Sequence, residues 1–138
     1  MKRNERYVFD TNVLISALLF SDSVPGQAFF ESLDRGTILI SAPLVEELND
    51  VLGREKFERY LTSEERERFL ETLMQETQLV EVTKTLQVCR DPKDNLILEL
   101  AVDGEASFII TGDQDLLALD PFHDIRIVSP AEFVKSLT

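Results

Sequence analysis

The sequence of 138 residues has little cysteine and little histidine. Cys89 is its only cysteine, His123 is its only histidine, and it has no tryptophan. One thiol and one imidazole cannot form a disulfide within the chain or a zinc site of the usual Cys and His composition. A hydrolase triad is also disfavoured, because His123 lies between Phe122 and Asp124 with no nucleophile beside it. We therefore interpret His123 as a surface residue.

Basic residues and glycine-rich motifs are scarce as well. The 14 Lys and Arg face 26 Asp and Glu, which gives a net charge of −12. This balance is the reverse of the basic footprint of a general nucleic-acid binder, and it is compatible with a cation site, a basic partner or solubility alone. Neither a P-loop nor a dinucleotide-binding glycine motif occurs. No apolar run has membrane-spanning length and no signal-type segment opens the chain, so the expected location is the cytoplasm.

Apolar segments of strand length alternate with segments of helical periodicity. Strands are predicted at residues 7–9, 37–41, 79–82, 107–111 and 125–128. Helices are predicted from residue 13, at 27–34 after a turn over 21–26, at 43–53, at 92–104 and from 129. This alternation predicts an α/β fold with about five parallel strands and helices on both faces. The length predicts a single domain, 1–138.

The most charged segment, residues 54–77, is predicted to form a projecting helical hairpin. The residues from Thr62 to Glu65 resemble a capping box at the start of its second helix. Its basic residues form the densest cationic cluster of the chain: Arg54, Lys56, Arg59, Arg66 and Arg68. A second small patch consists of Lys2, Arg3 and Arg6. The ordinary explanation of the charges in the hairpin is a solvated helix face.

Four carboxylates lie near the carboxyl ends of predicted strands or the starts of helices: Asp10, Glu47, Asp94 and Asp113. Each alone is explained as a helix cap, a dipole partner, a turn residue or a surface residue. Because parallel strands end at one edge of a sheet, all four are expected to converge, although spacing alone accepts Glu46 as well as Glu47. Crowded carboxylates require raised pKa values or a bound cation, and oxygen ligands suit Mg²⁺ or Mn²⁺. Such a site serves phosphoryl chemistry.

Four motifs of this chain resemble those of PIN-domain ribonucleases. They are Phe-Asp-Thr-Asn-Val-Leu at 9–14, Glu-Glu-Leu at 46–48, Arg-Asp-Pro-Lys-Asp-Asn at 90–95 and Thr-Gly-Asp-Gln-Asp-Leu-Leu at 111–117. The resemblance covers nearly the whole chain and is greatest to the toxin-like prokaryotic branch, similar to VapC-type toxins. It implies a three-layer α/β/α sandwich whose five-stranded parallel sheet has the order 3-2-1-4-5.

The resemblance also implies an activity, partners and site residues. The activity is that of a Mg²⁺- or Mn²⁺-dependent endoribonuclease, which is often a homodimer and in many members is neutralised by an antitoxin. The acidic quartet corresponds to Asp10, Glu47, Asp94 and Asp113; Asp10, Asp94 and Asp113 are implied metal ligands, and Glu47 is a ligand or orients the attacking water. Accessory positions are Thr11, Asn12, Asp91, Thr111 and Asp115. Lys93 departs from the pattern, because relatives often carry an acid there, and this leaves the number of metals open.

Two other classes of function stay open at this point. A non-catalytic PIN-fold module would bind a basic partner in the same acidic pocket. A phosphate-accepting signalling domain would need an acidic pair on an early strand and a late lysine, and neither is evident. If RNA is the substrate, its candidate contacts are Arg59, Arg66 and Arg68. The alternative for this segment is a dimer interface through Phe57, Tyr60 and Leu61.

Overall fold

A computed structural model describes residues 5–137, so the predicted patch at Lys2 and Arg3 lies outside the described residues. Within that range the strands are β1 (Glu5–Phe9), β2 (Gly36–Ile40), β3 (Gln78–Leu79), β4 (Phe108–Ile110) and β5 (Arg126–Val128). The helices are α1 (Thr11–Leu19), α2 (Val24–Arg35), α3 (Ala42–Leu52), α4 (Ser63–Glu76), α5 (Pro92–Asp103), α6 (Gln114–Leu117) and α7 (Pro130–Ser136). A 3₁₀ turn, Glu55–Phe57, lies between α3 and α4.

The strands form one parallel sheet in the order β3-β2-β1-β4-β5, which confirms the predicted fold class. The central strand β1 pairs with β2 on one side and β4 on the other. Phe9 and Ile110 are register partners at the ends of β1 and β4. The next residues, Asp10 and Thr111, therefore emerge side by side at the carboxyl edge of the sheet.

The core lies on both faces of β1, as its continuous apolar sequence predicts. Tyr7 and Phe9 point to the same face, where their rings contact Phe133 of α7 and Phe29 of α2 at centroid distances of 5.5 and 5.7 Å. Val8 is fully buried on the opposite face, and α5 packs against β1, β2 and β4. The sheet is therefore fixed between two helical layers, and its carboxyl edge is held in a rigid position.

The helix boundaries follow from local capping. Ser41, Asp91 and Ser129 cap α3, α5 and α7, and each of these helices has a proline in its first turn, as predicted. The predicted capping box from Thr62 to Glu65 starts α4. None of the helices within residues 5–137 is on its own long and apolar enough to cross a membrane; α1 and α2 pass that test only as a pair bent by 98°.

Four segments differ from the prediction, and one of them is α6, which the sequence did not predict. The second half of the predicted turn over 21–26 is wrong, because Ser23 accepts a hydrogen bond from Gly26 N and α2 begins at Val24. The predicted hairpin at 54–77 consists of the 3₁₀ turn and a single α-helix, α4. The third strand is two residues long, and residues 80–91 continue as an irregular strap to α5.

Gly36 provides a test of the close packing between β1 and β2. A Cβ added at Gly36 would lie 2.8 Å from the carbonyl carbon of Glu5 and nearer still to its oxygen, and backbone cannot yield as a side chain can. We expect Gly36→Ala to lower the free energy of unfolding by about 1–3 kcal/mol, measured by urea denaturation. Gly112→Ala is the matched control, since no atom lies within 4 Å of its added Cβ. Equal stability of the two variants would contradict this packing.

Candidate metal centre

Asp10 occupies the junction between β1 and α1 and uses both of its oxygens. Oδ1 accepts a hydrogen bond from Val13 N at 2.9 Å and so caps α1. Oδ2 accepts a short hydrogen bond from the Thr111 hydroxyl, and Thr111 Oγ1 in turn accepts one from Asp113 N at 3.0 Å. Asp10 is therefore a helix cap and also a fixed point of the site, with the fully buried Thr111 joining it to Asp113.

Three other carboxylates converge at the starts of α5 and α6. Asp94 lies in the first turn of α5, Asp113 caps α6, and Asp115 lies in the first turn of α6. One oxygen from each lies within 4.8 Å of the other two. Opposite ligands of an octahedral Mg²⁺ are about 4.2 Å apart, so this all-oxygen set fits a hard divalent cation. Asp115, expected only as an accessory acid, belongs to this group, whereas Asp10 does not.

One cavity of about 240 Å³ receives most of the residues that the sequence predicts for the site. Its lining includes Asp10, Thr11, Asn12, Glu47, Asp91, Asp94 and Asp113. Glu47 is half-buried and lines this cavity, whereas Glu46 is exposed and does not. Thr111 and Asp115 do not line the cavity. They are hydrogen-bonded to residues that do: Thr111 to Asp10 and Asp113, and Asp115 to Asp113. All four acids of the predicted quartet therefore face one space.

Burial, together with neighbouring negative charges, raises the pKa values of two of these acids. Burial, with the negative charges of Asp113, Asp91, Asp10 and Asp115 after it, raises the pKa of Asp94 to about 6. Burial also raises the pKa of Asp10, although the hydrogen bonds from Thr111 and Val13 act in the opposite direction. A proton or a metal ion relieves the same repulsion, so the two compete for this site.

The basic residues of the cavity differ from those predicted to contact RNA. Arg54, Lys56 and Lys93 line it, whereas Arg59, Arg66 and Arg68 do not. Arg66 lies instead beside Gly53 at the end of α3, since a Cβ there would be 2.8 Å from Arg66 Nη1. Sequence spacing placed all five basic residues of 54–77 in one cluster. Because of the 3₁₀ turn, Arg54 and Lys56 point towards the cavity and Arg66 points towards Gly53. A pattern of helical periodicity could not predict this difference.

Asn95 is a residue of this region that sequence reasoning did not single out. Its Oδ1 accepts hydrogen bonds from Val88 N and Cys89 N, and its Nδ2 donates to Cys89 O. Two further side chains of α5, each four residues on, also hold the strap: Glu99 accepts from Leu86 N, and Asp103 accepts from Thr83 N and Lys84 N. One face of α5 thus fixes the strap that leads into Asp91.

Cys89 lies in this strap but is poorly suited to nucleophilic chemistry. Burial, with the charges of Asp94 and Asp115 after it, raises the pKa of the Cys89 thiol. A raised pKa keeps sulfur in its less reactive thiol form. His123 is exposed, in agreement with its interpretation as a surface residue. The chemistry available in this cavity is therefore carboxylate chemistry.

A family model described as PIN domain matches residues 6–115. An uncharacterised protein of Methanocaldococcus jannaschii is 28% identical over 141 residues, which cover 94% of this chain and 90% of that protein.

Three solved structures, each of low sequence identity, share the fold. The complex VapBC2 of Rickettsia felis, bound to a promoter DNA fragment, has a TM-score of 0.63 at 15% identity over 90% of this chain and 98% of that one. PAE2754 of Pyrobaculum aerophilum has a TM-score of 0.60 at 16% identity over 96% and 88%. VapBC-1 of nontypeable Haemophilus influenzae has a TM-score of 0.61 at 15% identity over 91% and 98%.

The raised pKa of Asp94 predicts a pH-dependent stability. An acid with a raised folded pKa favours folding below its ordinary value of 3.8, and that contribution is lost as the pH rises through about 6. In EDTA we therefore expect Asp94→Asn to melt at a higher temperature than the parent above pH 6, with the difference shrinking towards pH 3.8. Asp22→Asn, an exposed aspartate, controls for the loss of one charge. A difference in melting temperature that does not change with pH would contradict the electrostatic cause.

Proposed function

Since this chain belongs to the PIN-domain family, we propose that it is a Mg²⁺- or Mn²⁺-dependent endoribonuclease that hydrolyses RNA phosphodiester bonds. The observation that carries this proposal is the convergence of Asp94, Asp113 and Asp115 within 4.8 Å, beside the cavity that Asp10 and Glu47 also line. We further infer a single PIN-like domain over residues 1–138, located in the cytoplasm. Support for one domain comes from a core cluster that includes residues from Tyr7 to Phe133.

The metal ligands we assign are Asp10, Asp94 and Asp113, with Asp115 as a further oxygen donor. Asp94 and Asp113 lie on different helices, so a bound cation would hold the starts of α5 and α6 together. When bound, Mg²⁺ or Mn²⁺ supplies Lewis acidity, which activates water and offsets charge on a phosphate. His and Cys, the ligands that would favour zinc, do not line the cavity within residues 5–137.

Two groups of the chain are assigned to positioning. Thr111 fixes the orientation of Asp10, because its hydroxyl donates to Oδ2 while accepting from Asp113 N. Glu47 enters the cavity from α3, a different element from those that carry the aspartates. From that place its carboxylate can orient a water for attack on phosphorus and accept a proton from it.

A protein partner belongs to the same proposal. We infer that this chain is the toxin of a toxin–antitoxin pair, which is supported by its fold likeness to VapBC complexes. An antitoxin could inhibit it by placing an Arg or Lys side chain among Asp10, Asp94 and Asp113, since crowded carboxylates favour a cationic partner. The homodimer implied by the resemblance stays a prediction.

The activity is tested by single-turnover cleavage of labelled RNA. We expect cleavage in Mg²⁺ or Mn²⁺ and none in EDTA, with Asp10→Asn slower by about 10- to 100-fold because it removes a metal-binding charge while keeping the shape. Glu47→Gln should be slower by about 100-fold or more, through loss of a proton acceptor. Glu46→Gln is the matched control and should cut like the parent, because Glu46 lies outside the cavity. Undiminished cleavage by Asp10→Asn would refute its assignment.

Metal binding can be measured without any RNA. A cation that binds only the folded state at 100 times its Kd stabilises it by about 2.7 kcal/mol. We therefore expect Mn²⁺ to raise the melting temperature, and Asp94→Asn or Asp113→Asn to reduce that rise, whereas Asp22→Asn should not. An unchanged melting curve with no heat of binding in calorimetry would favour the non-catalytic module, which binds a basic partner instead.

A further inference from the structure

Two exposed aromatic rings pack against each other, and one of them follows the 3₁₀ turn that contributes residues to the cavity lining. Phe20 ends α1 and Tyr60 follows the 3₁₀ turn, and they are 50% and 49% exposed. Their ring centroids are 5.8 Å apart at an interplanar angle of 78°. The guanidinium of Arg59 lies over the Tyr60 ring at 6.0 Å. We call these two rings the aromatic pair.

The aromatic pair is linked to the cavity lining through Phe57. Phe57 lines the cavity, and its carbonyl accepts a hydrogen bond from Tyr60 N at 2.9 Å. Lys56 Nζ lies 5.1 Å from the centroid of the Phe57 ring. Along the chain, Tyr60 is therefore only three residues from the cavity lining.

The basic and acidic side chains of this turn point in different directions. Arg54 and Lys56 line the cavity, whereas Glu55 and Glu58, their neighbours in the sequence, do not. A second cavity of about 360 Å³ shares Asp10, Asn12 and Asp113 with the first, and none of its lining residues is basic. The first cavity therefore has basic residues in its lining and the second has none; Arg54 and Lys56, which we call the cationic edge, lie at the 3₁₀ turn, and Lys93 lies on α5.

We propose that the cationic edge and the aromatic pair form a subsite for one RNA strand, in which the edge binds a backbone phosphate and the pair stacks an unpaired base. This inference rests on the proposed function for the presence of RNA in the cavity, and it adds the side from which the strand enters. Stacking requires a base with a free face, so the subsite selects unpaired RNA over duplex.

Charge complementarity favours RNA over a protein surface at this place. A chain of net charge −12 repels a phosphate backbone over most of its surface. Cations that face the cavity concentrate attraction for phosphate at its mouth, and an arginine over an exposed ring adds a cationic contact for a stacked base. Two rings of this kind match the stacking platforms of single-strand binding proteins.

The subsite is tested by measuring RNA binding, with Mn²⁺ present, in the Glu47→Gln background. This variant is expected to cleave slowly and keeps the assigned metal ligands. The probe is a short single-stranded RNA that carries 2-aminopurine, whose fluorescence falls when the base stacks. We expect Tyr60→Ala and Phe20→Ala each to raise Kd at least about fivefold, the lower limit for loss of one stacked base. Tyr60→Phe should bind normally. Phe30→Ala, which removes a ring that is 51% exposed on α2, should also leave Kd unchanged.

The cationic edge has a separate readout. Replacing Arg54 and Lys56 together with Ala should reduce the slope of log K against log salt by about 0.7, which is the contribution of one phosphate contact on a single strand. Lys84→Ala is the control, because Lys84 is exposed and lines a different cavity. A duplex of the same sequence should compete poorly with the single strand.

Each of the other possible results contradicts either the proposed subsite or the proposed endoribonuclease activity. If the background protein does not bind the probe, or the ring variants bind it normally, the subsite is wrong. If the ring variants change the oligomeric state in light scattering and leave Kd unchanged, the aromatic pair is a protein interface and the subsite is again wrong. If the binding results hold but the parent never cleaves RNA in Mn²⁺, the subsite stands and the endoribonuclease proposal fails.

Discussion

Mutual repulsion among carboxylates at one edge of a parallel sheet is the constraint on which the rest of this structure depends. Asp10 follows β1, Asp94 starts α5 and Asp113 starts α6, and the parallel order brings all three chain segments to the same edge. Burial first, and then the negative charges of its neighbours, raise the pKa of Asp94 to about 6, which shows that keeping this carboxylate ionised costs free energy. The burial of apolar side chains on both faces of the strands offsets this free-energy cost.

Local bonds hold the acids in place against this repulsion. Asp10 is fixed by Val13 N and the Thr111 hydroxyl, and Asp113 is fixed through the backbone of Asp115 and Leu116. Capping and site chemistry are therefore not alternatives here, because a carboxylate oxygen that accepts an N–H at a helix start still has a lone pair to offer. The free N–H groups at the start of a helix carry partial positive charge and stabilise a carboxylate, so these acids are favoured at helix starts. Asn95, Glu99 and Asp103 provide the same kind of order for the strap, through side chains of one helix face.

Positive charge is distributed unevenly around the acids, because only one of the two cavities next to them has basic residues in its lining. Arg54 and Lys56 face it from the 3₁₀ turn and Lys93 faces it from the first turn of α5, whereas the neighbouring cavity has no basic residue in its lining. Lys93 adds a positive charge to a cavity lined by five acids. A lysine here lowers the local negative potential that a phosphate meets on approach.

The sequence by itself predicted the order of the strands and most caps, because apolar periodicity, Pro and Gly positions and capping residues are local signals, although it missed α6. The four acids of the quartet were assigned through the family resemblance. The sequence also indicated that these acids converge, since parallel strands share an edge. The resemblance selected Glu47 over Glu46 where spacing could not, and Glu47 lines the cavity. Only the tertiary structure decided that Asp115, and not Asp10, groups with Asp94 and Asp113. It alone decided that Arg54 and Lys56 turn towards the acids while Arg66 lies against Gly53. These outcomes depend on side-chain direction across a short 3₁₀ turn and between separate elements, and spacing along the chain carries no information about either.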